Sequence, residues 1–596
     1  MNLTTSVKGI PLALVFIILF TGFLFLFNIG KRDLWAPDEP RYAQVSKEMR
    51  DTGRYIVPHL NSAPYPDKPP LLFWLINISS LPFGKITALS ARLPSAFAGI
   101  GCCIAVFYLA KGLYHNTRIA LLSSLILATS SKFLWMTHRV AFDVLLTFFV
   151  TMAIFWFYKG YTIQYNANLP HGGDFDKKGI KKYTGFYYTF FYIFMALGVL
   201  TKGPIGFILP FHTVLIFLIL MGNPGMLKDT KPWIGGILFI IIVSAWVFLA
   251  SVYGGKEYTN QILFNQNLGR FANSFAHKKP FYYYFINFPL HFLPWSIFIP
   301  GFIIYLFSRK GREKISGIPS LRNFKAVILR RFTSPANGAY RIKSFCCLEQ
   351  DRKFPLLPVI WFAVIFIFFS IASGKRDIYI LPLYPAASML IGWFLNEFID
   401  QSREKYFRKT GYYPCYFLSV ISLALCVLLP IIAYKTFPQY IGTTIPFIII
   451  LFIAGIIMLW SLRRTYITFF LFTVIFVIFI TFTTGTLRAI PILNQYKSAK
   501  DICYKAKTVM KPREKLAIFN FFRDPYLFYT DRNYIEVIYG LDNLETFLKS
   551  PERVFLFISE NDFKKASEIP DIPMFVLEKD SVGHRDMLFV SNRDIE

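Results

Sequence analysis

About thirteen apolar runs, most of them close to 20 residues long, recur along the chain, and they constrain its fold more than any other feature. A helix rises about 1.5 Å per residue, so about 20 apolar residues cross roughly 30 Å of hydrocarbon. The runs lie near 10–29, 89–110, 118–134, 139–158, 186–200, 204–221 and 233–253, then near 287–307, 356–373, 378–398, 414–434, 442–461 and 467–487. With 596 residues, 54% hydrophobic and 18% aromatic, the chain has more apolar surface than a soluble core of this size needs. The pattern predicts an all-α polytopic membrane protein. The first run, Pro11–Gly30, is longer than a signal-peptide core and lacks a small-residue cleavage site, so it reads as a retained span.

A net charge of +29 would suggest nucleic acid in a soluble protein. Here the excess has another source. Loops 159–185, 308–355 and 399–413 are rich in lysine and arginine and fall on one face by parity, which marks that face as cytoplasmic. The N-terminus is then inside and no nucleic-acid partner is expected. The first loop, the Thr201–Pro204 turn, loop 254–286, the Gly374–Asp377 turn and the C-terminal tail all lie outside. The seven cysteines show neither a disulfide framework nor a thiolate metal spacing.

Composition changes after Arg488. Short apolar runs at Leu516–Phe519, Ile535–Ile538, Val554–Ile558, Met574–Leu577 and Met587–Val590 alternate with polar amphipathic segments. Residues 489–596 are therefore expected to form a small α/β domain outside the membrane, with 1–488 as the transmembrane domain. The tail has no glycine-rich phosphate loop, metal-spaced cluster or nucleophile elbow, so a supporting or acceptor-docking role is expected.

The first outer loop, within 30–88, is polar and proline-punctuated between two spans, and long loops of this kind are commonly functional. Asp38 and Glu39 follow Pro37 and open an amphipathic stretch closed by Gly53. Acids in a first turn meet the helix dipole, so simple capping is one reading. The other is a carboxylate general base, Asp38 with Glu39 secondary. Lys68, beside Asp67 and held by Pro69-Pro70, either snorkels or neutralises a phosphate at headgroup depth. Arg139 and Asp143 are spaced for a helical pair, and intramembrane charge also suggests function. Lys202, Arg270, the Lys375-Arg376 pair and Arg41 add cations on the same side. Asp67 and His277 form a candidate pair for a divalent metal ion (zinc, magnesium or manganese), although two ligands are too few for a closed structural zinc site. A direct hydrogen bond between them is the alternative. A greasy site with these cations and carboxylates suits a polyprenyl phosphate or lipid diphosphate.

Several segments resemble the ArnT-like lipid A aminoarabinose transferases, within the broader protein-mannosyltransferase-like GT-C glycosyltransferases. They are Trp35–Ala43, Val57–His59, Asp67–Pro70, Ala91–Ser95, Leu200–Pro204, Pro280–Tyr284 and Tyr379–Leu383. The resemblance implies an inverting transfer of a sugar from a polyprenyl-phosphate donor to an envelope acceptor on the outer face of the inner membrane. It also implies Asp38 as the catalytic aspartate, Lys68 and Tyr379 as donor-phosphate contacts, and Asp143 as a further acid. Asp67 stands where the family usually has glutamate, and Ser373–Asp377 departs from the serine-rich, single-lysine turn. The motifs specify the group but neither the sugar nor the acceptor, which is a lipid A-like lipid, a glycan or, in an O-mannosyltransferase-like enzyme, a protein. A transporter or flippase of lipid-linked sugars would also have many spans and a cationic cavity, but transporters place their charges nearer mid-membrane. A non-catalytic envelope scaffold is a third reading.

Overall fold

The computed structural model describes residues 6–7, 10–167, 177–263, 278–308, 356–521, 523–570 and 572–594. Arg270, His277 and the basic loop 309–355 lie outside the described residues. Each of the thirteen expected apolar runs carries helix. Among the described residues, eight helices are long and apolar enough to cross a membrane, and two further pairs, bent by 67° and 115°, reach that length together. Leu12–Leu26, Ile205–Leu220 and Leu356–Ile371 hold the other three runs but have only 15 or 16 residues. The count of about thirteen is therefore reached only by including these shorter helices.

Eight N-terminal helices frame the polar residues of interest. They are α1 (Leu12–Leu26), α2 (Asp38–Thr52), α3 (Leu71–Ser80), α4 (Ala88–Tyr114), α5 (Thr117–Thr129), α6 (Ser131–Thr137), α7 (Phe142–Ala167) and α8 (Lys177–Lys202). Helix α2 carries Asp38 and Glu39 in its first turn and ends at Gly53 with φ of 70°, a backbone state that glycine adopts without the Cβ clash. Helix α8 crosses Ile205–Leu220 closely: a Cβ on Gly206 would come within 2.1 Å of the Gly198 backbone. The intervening turn at Gly203-Pro204 leaves Lys202 at the tip of that crossing.

The last long helix, Ile467–Lys497, continues past the change in composition at Arg488. Beyond it, the five apolar runs of the tail contribute to a five-stranded sheet. The spatial order is Glu536–Ile538, Lys515–Phe519, Val554–Ser559, Arg585–Ser591, Phe575–Val582, with the first three strands parallel and the last two antiparallel. Strand alternation divides its side chains between two faces. Leu516, Ile518, Phe555 and Phe557 join the core that is continuous with the helical bundle. Ala517, Phe519, Leu556 and Ile558 pack on Leu544, Leu548 and Ala566 from the flanking helices. Burial on both faces explains why these strands read as apolar runs rather than as alternating ones.

Candidate functional site

The first turn of α2 holds two adjacent carboxylates in different surroundings. Glu39 is fully buried. It accepts from Arg32 Nη2 at 3.0 Å, Arg92 Nε at 2.8 Å and the Val140 backbone N–H at 3.1 Å, with Arg139 at 3.8 Å. Arg92 also donates to the Ile29 and Asp33 carbonyls, both at 2.8 Å, and Arg32 to the His138 carbonyl at 2.7 Å. The Arg32 guanidinium lies over the rings of both Trp35 and Trp135, 4.8 and 5.1 Å from their centroids. One carboxylate thus ties α2 to α4, to the chain after α1 and to the link between α6 and α7. Burial alone would raise the Glu39 pKa, but Arg92 and Arg32 outweigh it and hold the carboxyl at about 2.

Asp38 is partly accessible. Its Oδ2 accepts from Arg376 Nη2 at 2.9 Å, and Oδ1 has no hydrogen-bond partner among the described residues. Arg376 comes from the Gly374–Asp377 turn after Leu356–Ile371. Burial would lower the pKa of its guanidinium, but Asp38 and, more weakly, Asp143 raise it and keep the group charged. Asp143 opens α7 and pairs with Lys202 from the end of α8. The Lys202 ammonium lies over the Tyr379 ring, 4.4 Å from its centroid. Asp38, Arg376, Asp143, Lys202 and Tyr379 are therefore brought together at one end of the bundle. Tyr42, one turn along α2, is within electrostatic reach of Asp38, Asp143 and Arg376, and burial with the nearby carboxylates raises its pKa.

One expectation needs correction, and other expected residues have partners of their own. Arg139 and Asp143 do not form a helical pair, because α7 begins at Phe142 and leaves Arg139 in the preceding link. The two residues turn to different partners, Glu39 and Lys202. Lys375 is 4% exposed and donates to the Lys279 carbonyl at 3.1 Å and to the Ala372 carbonyl. Its lysine nitrogen is thus committed to backbone, whereas its neighbour Arg376 reaches the carboxylates. Arg41 pairs at 2.8 Å with Asp524, which lies just beyond the first strand of the C-terminal sheet. Asp67 and Lys68 lie in the turn leading to α3, where Asp67 and Arg41 act on the buried Tyr65. Among the described residues, no three His, Cys, Asp or Glu side chains converge as a metal-binding group.

The sequence reading gave Arg32, Arg92, Asp524 and Tyr42 no individual role and treated Arg376 only as part of a basic pair. Arg92 had one signal, an arginine inside an otherwise apolar span. The partnership of Arg41 with Asp524 had none.

Residues 10–255 match the family described as dolichyl-phosphate-mannose-protein mannosyltransferase. An uncharacterised protein of Aquifex aeolicus is 26% identical over 511 residues, 85% of each chain. The undecaprenyl phosphate-alpha-4-amino-4-deoxy-L-arabinose arabinosyl transferase of Shewanella sediminis is 28% identical over 422 residues, 70% of this chain and 65% of that one. The crystal structure of ArnT from Cupriavidus metallidurans bound to undecaprenyl phosphate shares the fold, with a TM-score of 0.72, 17% identity and coverage of 97% and 98% of the two chains. In sequence and fold the chain is thus similar to the ArnT-like, protein-mannosyltransferase-related GT-C proteins.

Proposed function

We propose that the chain transfers a sugar from a polyprenyl-phosphate donor to a lipid A-like lipid or another envelope acceptor at the outer face of the inner membrane. The observation that carries the reading is Asp38 itself, a carboxylate at a helix N-terminus with one oxygen fixed by Arg376 and the other unpartnered among the described residues. Asp38 takes the proton of an acceptor hydroxyl as that oxygen bonds to the anomeric carbon. The bond from that carbon to the phosphate oxygen breaks, and the polyprenyl phosphate leaves with the electron pair. Attack opposite the leaving group inverts the centre. Lys68 and Tyr379 contact the donor phosphate, with Lys202 and Arg270 as supporting cations. Glu39, closed in by arginines, sets the position of α2 and takes no proton from substrate.

The basic loops support a cytoplasmic N-terminus and an extracytoplasmic C-terminal unit. That unit serves to hold the first loop: Arg41 meets Asp524, Lys47 meets Asp531, and Gln44 donates to the Arg532 carbonyl at 2.9 Å. Asp67 and His277 are the candidate pair for a divalent ion. Two ligands suit an open site or a direct hydrogen bond, and no step above depends on metal. A protein acceptor is the second reading, supported by the match of residues 10–255.

The test is Asp38→Asn in a deletion strain, read by mass spectrometry of envelope lipids and glycans. The product lost on deletion should stay lost with this variant, because turnover should drop by about 10²–10⁴ when the proton acceptor is removed. Wild-type product levels would refute the assignment.

A further inference from the structure

The Gly374–Asp377 turn is anchored by two of its charged side chains and by its backbone. Lys375 is spent on the Lys279 and Ala372 carbonyls. Asp377 pairs with Lys132 of α6 and lies 4.0 Å from His291. The Arg376 carbonyl accepts from the Tyr284 hydroxyl at 3.0 Å, and Gly374 bridges Lys278. These contacts leave the Arg376 side chain as the one cation that the turn presents to the carboxylates. Its side chain is 32% exposed, against 4% for the whole of Lys375.

We propose that Arg376 is a positioning residue for the transfer, holding Asp38 in register and cancelling its charge against an anionic donor. The proposal rests on the assignment of Asp38 as general base. A phosphate approaching Asp38 and Asp143 meets two carboxylates, which would repel it. The structure gives each carboxylate its own cation, Arg376 for Asp38 and Lys202 for Asp143. The guanidinium adds direction to charge. It grips Oδ2 through one N–H and leaves Oδ1 for the acceptor proton, whereas an ammonium on a flexible stem supplies charge without a fixed plane. The serial anchoring of the turn then has a purpose, since a base misplaced by about 1 Å loses about 10²-fold in rate.

Charge and geometry separate in two variants. Arg376→Lys keeps the cation, so affinity for undecaprenyl phosphate should stay near wild type. Turnover should fall by about 10–10² because the base is no longer held in one orientation. Arg376→Leu removes both, and binding of undecaprenyl phosphate should weaken as well. Membrane vesicles from the deletion strain, supplied with donor lipid extracted from that strain, give kcat and apparent KM for each variant. Added guanidinium should restore part of the rate of Arg376→Ala, which a folding defect would not allow. Wild-type kcat in Arg376→Lys, beside an inactive Asp38→Asn, overturns this proposal alone. Wild-type turnover in Asp38→Asn overturns the base assignment and this proposal with it.

Discussion

Glu39→Gln is the sharpest test of the architecture, because it nearly preserves shape while removing one charge from a closed cluster. The carboxylate faces Arg32 and Arg92 at hydrogen-bonding distance and Arg139 at 3.8 Å, and it is fully buried. The shift of its pKa from the ordinary 4.5 to about 2 corresponds to about 3 kcal/mol in favour of the ionised form. Breaking a buried ion pair by removing one partner costs about 3–5 kcal/mol, which agrees. That cost falls on Arg92 and Arg32, whose side chains are 0% and 5% exposed and would lose their counter-charge.

The pH dependence has a definite sign. A carboxyl with a depressed folded-state pKa contributes stability that is full above its unfolded value and is lost as pH falls through the folded one. Wild-type protein should lose this contribution between pH of about 4.5 and about 2, and Glu39→Gln should lack that part of the acid profile. The assay is the thermal unfolding rate of detergent-purified protein across pH, since a membrane protein of this size is judged by its unfolding kinetics. The variant should unfold faster at neutral pH, and donor binding and turnover should fall together as α2 shifts. An unchanged unfolding rate at neutral pH, with the same acid profile as wild type, would refute the reasoning.

Three other outcomes follow from the same geometry. Lys68→Ala should weaken undecaprenyl phosphate binding by about 1.5–3 kcal/mol, roughly tenfold or more, and unchanged affinity in a binding titration would mean that the lysine only snorkels. Asp524→Asn should cost about 1–3 kcal/mol by removing the carboxylate that Arg41 grips at 2.8 Å. Hydrogen exchange should then rise across α2 and the helix at Asp524, and unaltered protection would show that the contact does not hold the unit down. Elemental analysis of purified protein beside His277→Ala tests the Asp67–His277 ion. A metal present in wild type and lost in the variant supports it, while no bound metal and full activity under strong chelator favour the direct hydrogen bond.

Much of the bundle was legible because apolar periodicity is local. Each expected run became helix, and the five apolar runs of the tail became strands, since burying one side of a helix, or both faces of the central strands Lys515–Phe519 and Val554–Ser559, leaves its mark within 10–20 residues. Local signals also placed α2, from the acids at its start to Gly53 at its end. Spacing misled where one residue decided the outcome. Arg139 and Asp143 are four apart, yet the helix begins between them, and element boundaries are the least certain part of such readings.

The site itself was legible in kind but not in pairing. Charge type and loop position pointed to Asp38, Glu39, Asp143 and Lys202 but not to Arg32, Arg92 or Asp524, and the sequence carries no record of which cation meets which acid. Arg41 and Asp524 are 483 residues apart, and Arg376 and Asp38 are 338 apart. Lys375 and Arg376 are neighbours of the same sign, and only the fold separates them. One backbone turn buries the lysine nitrogen against carbonyls and aims the arginine at Asp38. The lysine can fill that place because an ammonium satisfies several carbonyls from a compact point, while the planar fork of arginine suits a carboxylate that must keep one orientation. Exchanging the two residues would preserve composition, net charge and every local propensity, and it should still disable the site. Their order, rather than the presence of two cations, therefore decides which of them meets Asp38.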